Sequence, residues 1–490
     1  MSDKPRLSFV IPVYRPRPEW LEKCAKALRV QSLLEWEAVI VLDGPDPVAR
    51  QRLETAFHGC HQKVKIIEID HGGAPRARNA GYAESAADVV CFWDVDCVIE
   101  PHAALAWMEL LDDEPGVGFV YSGYRFEEGM GAISAEPFDP WTLRVRNYIS
   151  TCFPVRRSLV PEGAWNETLA SLQDWDFWLG VVERGGVGRY IQGYAFQTAF
   201  PDPESISGKG CTTEAWLGRL DAVRVLHDIP RRSTCVTSLG RKIDGVRLAK
   251  YLDADYVDVP NDRPHSYRTI IQLGFSLQPD MATVHAGIFR DPEVKKVLFW
   301  TQEDINEIYN AVSLKALDQY SALLNSMATQ FCEDAAAQKI LARAGFQVMI
   351  LPVPEAPVES RPMPAKPRLL LDIQADYSVI FSCLEKSLPD VEFDILGGAS
   401  KVEDYTGLIH FYTTRCMSPL MRRMLAQGRA VISNVQAPYA GYVSDRVDVD
   451  DFVPAMVEKI RAFLREGPSA GAAAHYGGEL DKAKLLEVIA

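Results

Sequence analysis

Residues 88–101 read DVVCFWDVDCVIEP, and the first half of the chain is organised around them. Val89 to Trp93 is an unbroken apolar run, the pattern of a buried strand in an α/β sheet. It stops at Asp94-Val95-Asp96, and Glu100-Pro101 opens the next helix, where proline's missing N–H costs nothing. Two carboxylates two residues apart at a strand end can both reach one hard divalent cation, which takes oxygen ligands and leaves room for phosphate oxygens. The carboxyl ends of parallel strands are also where open α/β sheets bind ligands. The Asp-x-Asp pattern alone is weak, because it recurs at Asp174/Asp176, Asp253/Asp255 and Asp448/Asp450, where a solvated loop or helix cap explains it as well. The apolar run before it sets the first copy apart.

Working outward, 490 residues exceed one ordinary core, so about two to three domains are expected. With 47% hydrophobic and 24% charged residues the composition is that of a globular protein. A formal net charge of −14 argues against nucleic acid as a partner, which needs a basic footprint. The opening MSDKPRLSFVIPVY has no apolar segment of signal-peptide type, and no apolar run of about 18 residues occurs. The ten cysteines include no C-x-x-C pair. A cytoplasmic protein with reduced thiols and no transmembrane segment is expected, with peripheral membrane association left open.

Strands alternate with helices up to the central run: Leu7–Val13, a helix from Pro18 to Val30, Trp36–Leu42, a short helix, Val64–Ile69, and an alanine-rich helix from Ala74 to Ala87. That rhythm predicts a largely parallel, doubly wound sheet. Polar residues close three of its strands: Asp43, the Gly72-Gly73 turn with Arg78 behind it, and Asp94/Asp96. Asp43 can hydrogen-bond a base or ribose, the glycines let backbone approach a ligand, and Arg78 can offset phosphate charge. Each alone is a turn or a solvated helix residue. Together, before an acidic pair, they favour a nucleotide site.

SFVIPVYRP, VIVLDGP, GGAPRARNAGYAESAADVVCFWDVD and GAWNETLASLQDWDFWLGVVERGG resemble, in order and spacing, the family 2 glycosyltransferases of GT-A fold. The resemblance covers roughly residues 5–225. It implies a nucleotide-sugar donor, a glycan or lipid-linked saccharide acceptor, a divalent metal (Mg²⁺ or Mn²⁺) and inversion at the anomeric carbon. Carried over by position, Pro12, Tyr14 and Asp43 contact the nucleoside and Arg78 the donor. Asp94 and Asp96 lie at the diphosphate and metal, and Asp174 is the base that deprotonates the acceptor. The chain departs from the family at Leu42, Cys97 and Gln173, where acids are common, and PDPESISG lacks the metal-binding histidine of some members, with Asp202 near its place. Independently, a sugar hydroxyl needs a carboxylate to take its proton. Asp174 starts a helix, so an N-cap is its bland reading; Asp176 reads as a hydrogen-bonding residue. Trp165, Trp175 and Trp178 are candidates for an acceptor floor or for core.

From Cys235 the α/β rhythm restarts, with strands at CVTSL, Tyr256–Val259, Met281–His285 and Val297–Trp300, a helical region through Leu324, and FQVMILPVP. PVPEAPVESRPMPAKP is a stiff proline-rich linker. RLLLDI, VEFDILGG, LIHFY and AVISNV are strands of a further unit, ending in a helix over Val453–Leu464. The expected domains are 1–232 (GT-A), 233–355 (Rossmann-like), 356–367 (linker) and 368–490 (second Rossmann-like unit). The two latter units resemble a GT-B pair. CMSPLMRRMLAQGRAVISN is similar to the donor segment of family 4 enzymes, but Arg423, or Arg422 one residue over, stands at their glutamate. Neither arginine can accept a donor hydroxyl's hydrogen bond. Acceptor or partner binding is therefore the expected role of this half. The rivals are a bifunctional transferase, a non-catalytic glycan-binding protein, and a nucleotidyltransferase, whose glycine- and lysine-containing amino-terminal loop is missing.

Overall fold

The computed structural model describes residues 4–60, 63–133, 135–199, 213–239, 242–257, 267–276, 288, 291–310, 315–353, 366–373, 383–384, 386–395, 404–411, 417–427, 429–435, 440–442, 449–466 and 479–489. The chain divides into two compact units, Met1–Arg231 and Arg232–Ala490.

The first unit runs β1 (Leu7–Val13), α1 (Pro18–Arg29), β2 (Trp36–Asp43), α2 (Pro47–Ala56), β3 (Val64–Ile69), α3 (Ala74–Ala83), β4 (Val89–Phe92), β5 (Cys97–Ile99) and α4 (Ala103–Asp113). It continues with β6 (Phe119–Phe126), β7 (Ala132–Ile133), α5 (Pro140–Val145), β8 (Pro154–Arg156), α6 (Gln173–Glu183), β9 (Gly188–Thr198) and α7 (Thr213–Leu226). One sheet has the order β3-β2-β1-β4-β8-β6-β9-β5, with β7 on β6. β3, β2, β1 and β4 are mutually parallel, as right-handed crossovers through α1 to α3 require. β8 then adds antiparallel to β4, and β5 antiparallel to β9. The sheet is thus mixed: wholly parallel over β3, β2, β1 and β4, with antiparallel pairs beyond them and β6 and β9 again parallel. The core is continuous and aromatic, with Phe9, Phe92, Trp93, Trp107, Phe119 and Trp178 each fully buried.

Two local expectations are corrected. Glu100-Pro101 does not open a helix: Cys97–Ile99 pairs with β9 as β5, and α4 begins at Ala103. The alanine-rich helix stops at Ala83 rather than Ala87. Its Glu84 N–H closes on the Gly81 and Tyr82 carbonyls, and the Ala87 N–H is drawn to Ser8 Oγ on β1 at 3.0 Å.

The second unit holds two all-parallel sheets. The first comprises β10 (Thr234–Ser238), β11 (Asp255–Tyr256), β12 (Thr269–Leu273), β13 (Lys295–Phe299), β14 (Thr329–Cys332) and β15 (Val348–Ile350), in the order β11-β10-β12-β13-β14-β15. The second comprises β16 (Arg368–Ile373), β17 (Glu392–Ile395), β18 (Gly407–Phe411), β19 (Ala430–Ser433) and β20 (Gly441–Tyr442), in the order β17-β16-β18-β19-β20. β12 and β14 were not legible because each carries a buried glutamine: Gln272 donates to the Gly274 carbonyl and Gln330 to Asn325 Oδ1. The helical region resolves into Gln302–Asn310 and Lys315–Met327, and the last long helix spans Val449–Glu466. The strand expected at Met281–His285, the end of that expected at Tyr256–Val259, and the linker up to Ala365 lie outside the described residues.

Candidate active site

Tyr14, Asp43 and Asp94 stand at the carboxyl ends of the neighbouring parallel strands β1, β2 and β4. Asp43, the last residue of β2, is 2% exposed, and its carboxylate is fully engaged in shaping a turn. Oδ1 accepts from the Gly72 N–H at 2.8 Å, and Oδ2 accepts from the Gly73 N–H and His71 Nδ1, each at 2.9 Å. Gly73 has φ +89, which a side chain resists, and stands directly before α3. Tyr14, half exposed beyond Pro12 at the end of β1, stacks on the His71 ring with centroids 4.1 Å apart and planes at 14°. His71 therefore joins Asp43 to Tyr14, a role that nothing local signals beyond its place before the two glycines.

α3 carries Arg78 inward, 7% exposed, over the Trp165 ring at 4.4 Å. Its Nη2 donates to Asp94 Oδ1 at 2.7 Å, while its buried Nε has no hydrogen-bond partner among the described residues. Asp94-Val95-Asp96 forms the tight turn from β4 into β5, closed by the Cys97 N–H donating to the Asp94 carbonyl at 3.0 Å. Both acids are half-buried. Burial, and next the charge of Asp94, lift the Asp96 carboxyl to about 6. Thr198 Oγ1, at the end of β9, donates to it at 3.4 Å.

Asp174 lies in the first turn of α6, whose capping position is Leu172 in the left-handed region at φ 60, so Asp174 is not the cap. Asn147 Nδ2 donates to Asp174 Oδ2 at 2.7 Å, and the Trp175 N–H to Oδ1 at 2.9 Å. Burial raises the Asp174 carboxyl above the ordinary carboxylate range, against the Trp175 N–H and the Arg78 charge. Asp94, Asp96 and Asp174 line one cavity of about 440 Å³. Arg17, Trp20, Asn147 and Thr198 also line it, and none of them was singled out in the sequence. Pro12, Tyr14, Asp43 and Arg78 stand outside that lining, Arg78 reaching it through Asp94.

The three tryptophans are core, not an acceptor floor. Trp165, Trp175 and Trp178 are 2%, 1% and 0% exposed. Trp165 stacks on Phe177 at 4.6 Å, and the indole N–H groups of Trp175 and Trp178 donate to the Leu143 and Ser150 carbonyls. Asp176 forms a hydrogen bond with His227 Nε2 at 3.0 Å, away from any second-base role. Asp202 lies outside the described residues. Among the described residues, no group of three or more His, Cys, Asp or Glu is arranged to hold a metal ion, and no helix is long and apolar enough to cross a membrane.

In the second unit the arginines expected near a nucleotide are spent internally. Arg423 Nη2 donates to Asp244 Oδ1 at 2.7 Å, and Arg422 Nε lies 3.3 Å from Glu333 Oε2. The Met417 N–H, just before the helix Pro419–Ala426, donates to Asp334 Oδ2 at 2.7 Å.

The first unit is thus an α/β domain with an acidic strand-end cavity beside a glycine turn. Residues 8–160 match the Glycosyl transferase family 2 domain. The O-antigen biosynthesis protein RfbC of Myxococcus xanthus is 26% identical over 193 residues, 37% of this chain and 15% of its own length. The glycosyltransferase AglE of Haloferax volcanii is 30% identical over 160 residues, 30% of this chain and 49% of its own. The chain therefore spans less than two thirds of either relative. The crystal structure of S. aureus TarS in complex with UDP-GlcNAc overlaps 45% of this chain and 66% of its own, at 16% identity and a TM-score of 0.40.

Proposed function

We propose that the protein is an inverting glycosyltransferase that moves a sugar from a nucleotide-sugar donor to a glycan or lipid-linked saccharide acceptor in polysaccharide biosynthesis. The observation that carries this reading is the meeting of Asp94, Asp96 and Asp174 in one cavity. The family match over residues 8–160, and relatives named for O-antigen biosynthesis and glycosyl transfer, support it.

In this reading Asp174 accepts the proton of the acceptor hydroxyl as it attacks the anomeric carbon. A base works best with its pKa near the working pH, and burial moves Asp174 upward towards that condition. Asn147 fixes the carboxylate's orientation. Arg78 stands behind the acid pair, donating to Asp94, and its charge offsets the negative charge that gathers there with the leaving diphosphate. Asp94 and Asp96 fit a divalent ion: both are oxygen donors on one turn, and burial, with the Asp94 charge second, lifts Asp96, a cost that a bound cation relieves. Mg²⁺ or Mn²⁺ held there would stabilise charge on the departing nucleoside diphosphate. Tyr14, Pro12 and the Asp43–His71 turn form the nucleoside end.

The second unit, with its two parallel sheets, is read as GT-B-like in architecture and as a binder of acceptor or partner. Its own carboxylates Asp244 and Glu333 occupy Arg423 and Arg422, and Asp334 takes the Met417 N–H, so these groups are engaged where a donor phosphate would need them. A thermal-shift panel of UDP-, GDP- and dTDP-sugars, with and without Mn²⁺, followed by donor hydrolysis, tests the reading. Metal-dependent stabilisation by one donor class, with its slow hydrolysis, is expected. Binding of glycans with neither would instead mark a non-catalytic glycan-binding protein.

A further inference from the structure

The helix that carries Asp174 is anchored from behind by a histidine the mechanism does not use. His227, just past the end of α7, has a side chain 8% exposed. Its Nε2 lies 3.0 Å from Asp176 Oδ1, and its Nδ1 lies 3.0 Å from both oxygens of Glu183. Carboxylates only accept, so both ring nitrogens must donate, and the ring that satisfies both is the imidazolium. Asp176 and Glu183 are seven residues apart on α6, roughly two full turns, and so share one face. Asp174, two residues before Asp176, is turned roughly 200° away from that face, towards the cavity. One cation thus fixes both ends of α6 on the side opposite the base.

We infer that His227 is a positioning residue for the transfer reaction: as an imidazolium it pins α6 through Asp176 and Glu183 and so holds Asp174 in the cavity. The inference rests on the glycosyltransferase reading above. The charged groups around the ring are Asp176 and Glu183 on α6, Arg144 on α5, and Arg224 and Asp221 on α7. Arg144 Nη2 donates to the His227 carbonyl at 3.0 Å, and its Nη1 lies 3.6 Å from Glu183. Arg224 pairs with Asp221. Burial pulls the His227 pKa down, but the hydrogen bonds that the ring donates to Asp176 and Glu183 outweigh it and the net direction is up. The clamp is complete below that raised pKa and loses one of its two hydrogen bonds above it. Turnover then falls on the alkaline side, while the acid limb belongs to Asp174.

The test uses the full-length protein, His227→Gln and Glu183→Gln, with hydrolysis of the sugar nucleotide selected by the panel as activity. Long-range ¹⁵N–¹H NMR of the histidine rings reads the charge of His227 without any donor, the His227→Gln spectrum assigning it. Expected are an imidazolium at pH 7, and in His227→Gln a kcat about 10-fold lower with donor KM unchanged. The alkaline limb should vanish in His227→Gln and move to lower pH in Glu183→Gln, which keeps the ring. A neutral ring at pH 7 overturns the inference, as does a lower melting temperature with kcat and pH profile unmoved. An imidazolium in a wild type that turns over no sugar nucleotide overturns the transferase reading itself, and the positioning role with it.

Discussion

Asn147 holds Asp174: its side-chain amide donates to Oδ2 at 2.7 Å, from the loop between α5 and β8. The amide has no titrating group, so the contact orients the carboxylate at every pH. Asn147→Ala should lower kcat by about 10–100-fold, the range of a lost hydrogen bond to a charged group. Donor binding, measured by calorimetry with a non-hydrolysed nucleotide, should stay within about twofold of wild type. Loss of nucleotide binding in this variant would place Asn147 in the donor site instead.

The acid pair offers a second prediction. Asp96→Asn removes one oxygen charge from the turn, so Mn²⁺-dependent stabilisation by the sugar nucleotide should disappear while the protein still melts cooperatively. Full turnover in excess EDTA, or in Asp96→Asn, would remove the metal assignment.

The same residue predicts a pH dependence of stability in metal-free protein. The folded Asp96 pKa, about 6, lies above its ordinary 3.8, so the folded state binds the proton more tightly. Its contribution is fully present below pH 3.8 and is lost as pH rises through about 6. Asp96→Asn should flatten the melting temperature across that window, and Mn²⁺ should restore stability at its upper end. A wild-type profile superimposable on that of the variant would contradict the assignment.

Arg423, 5% exposed and paired with Asp244, gives a fourth prediction. Arg423→Ala removes the guanidinium from a half-buried ion pair, and breaking such a pair costs up to about 3–5 kcal/mol. A clear drop in the melting of the 232–490 unit is expected, with donor hydrolysis by the first unit retained. Sugar transfer by protein carrying both Asp96→Asn and Asp174→Asn would reveal a second active site and sink the binding role.

The legible and illegible parts of this molecule divide on physical lines. β1 and β3 are found at the residues expected, because apolar runs closed by polar turn residues admit little else. β5 was missed because Cys97–Ile99 is three residues long and is a strand only by virtue of β9, nearly a hundred residues on. Asp94 and Asp96 were visible because a strand end is marked by its apolar run, whereas Asp174, inside a helix, stood out only through the family resemblance. Their partners were not: Asn147 and His227 have no local pattern, and their roles exist only through the packing of α5 and α7 on α6. Trp165 illustrates the converse, since an aromatic near a motif cannot be sorted into floor or core until its neighbour Phe177 is placed. Likewise nothing beside Arg422 and Arg423 in the sequence marks them as paired, because their partners Glu333 and Asp244 lie far off in the chain.

The central claim is that Asp174 is the base of a glycosyl transfer fed by a nucleotide sugar at Asp94 and Asp96. Its most direct measurement is single-turnover hydrolysis of the bound sugar nucleotide by wild type and Asp174→Asn at saturating Mn²⁺, with donor affinity determined in parallel. A rate lower by about 10²–10⁴ is expected in the variant, the range for removal of a general base, at nearly unchanged affinity. Equal rates in the two proteins, or a loss confined to donor affinity, would contradict it.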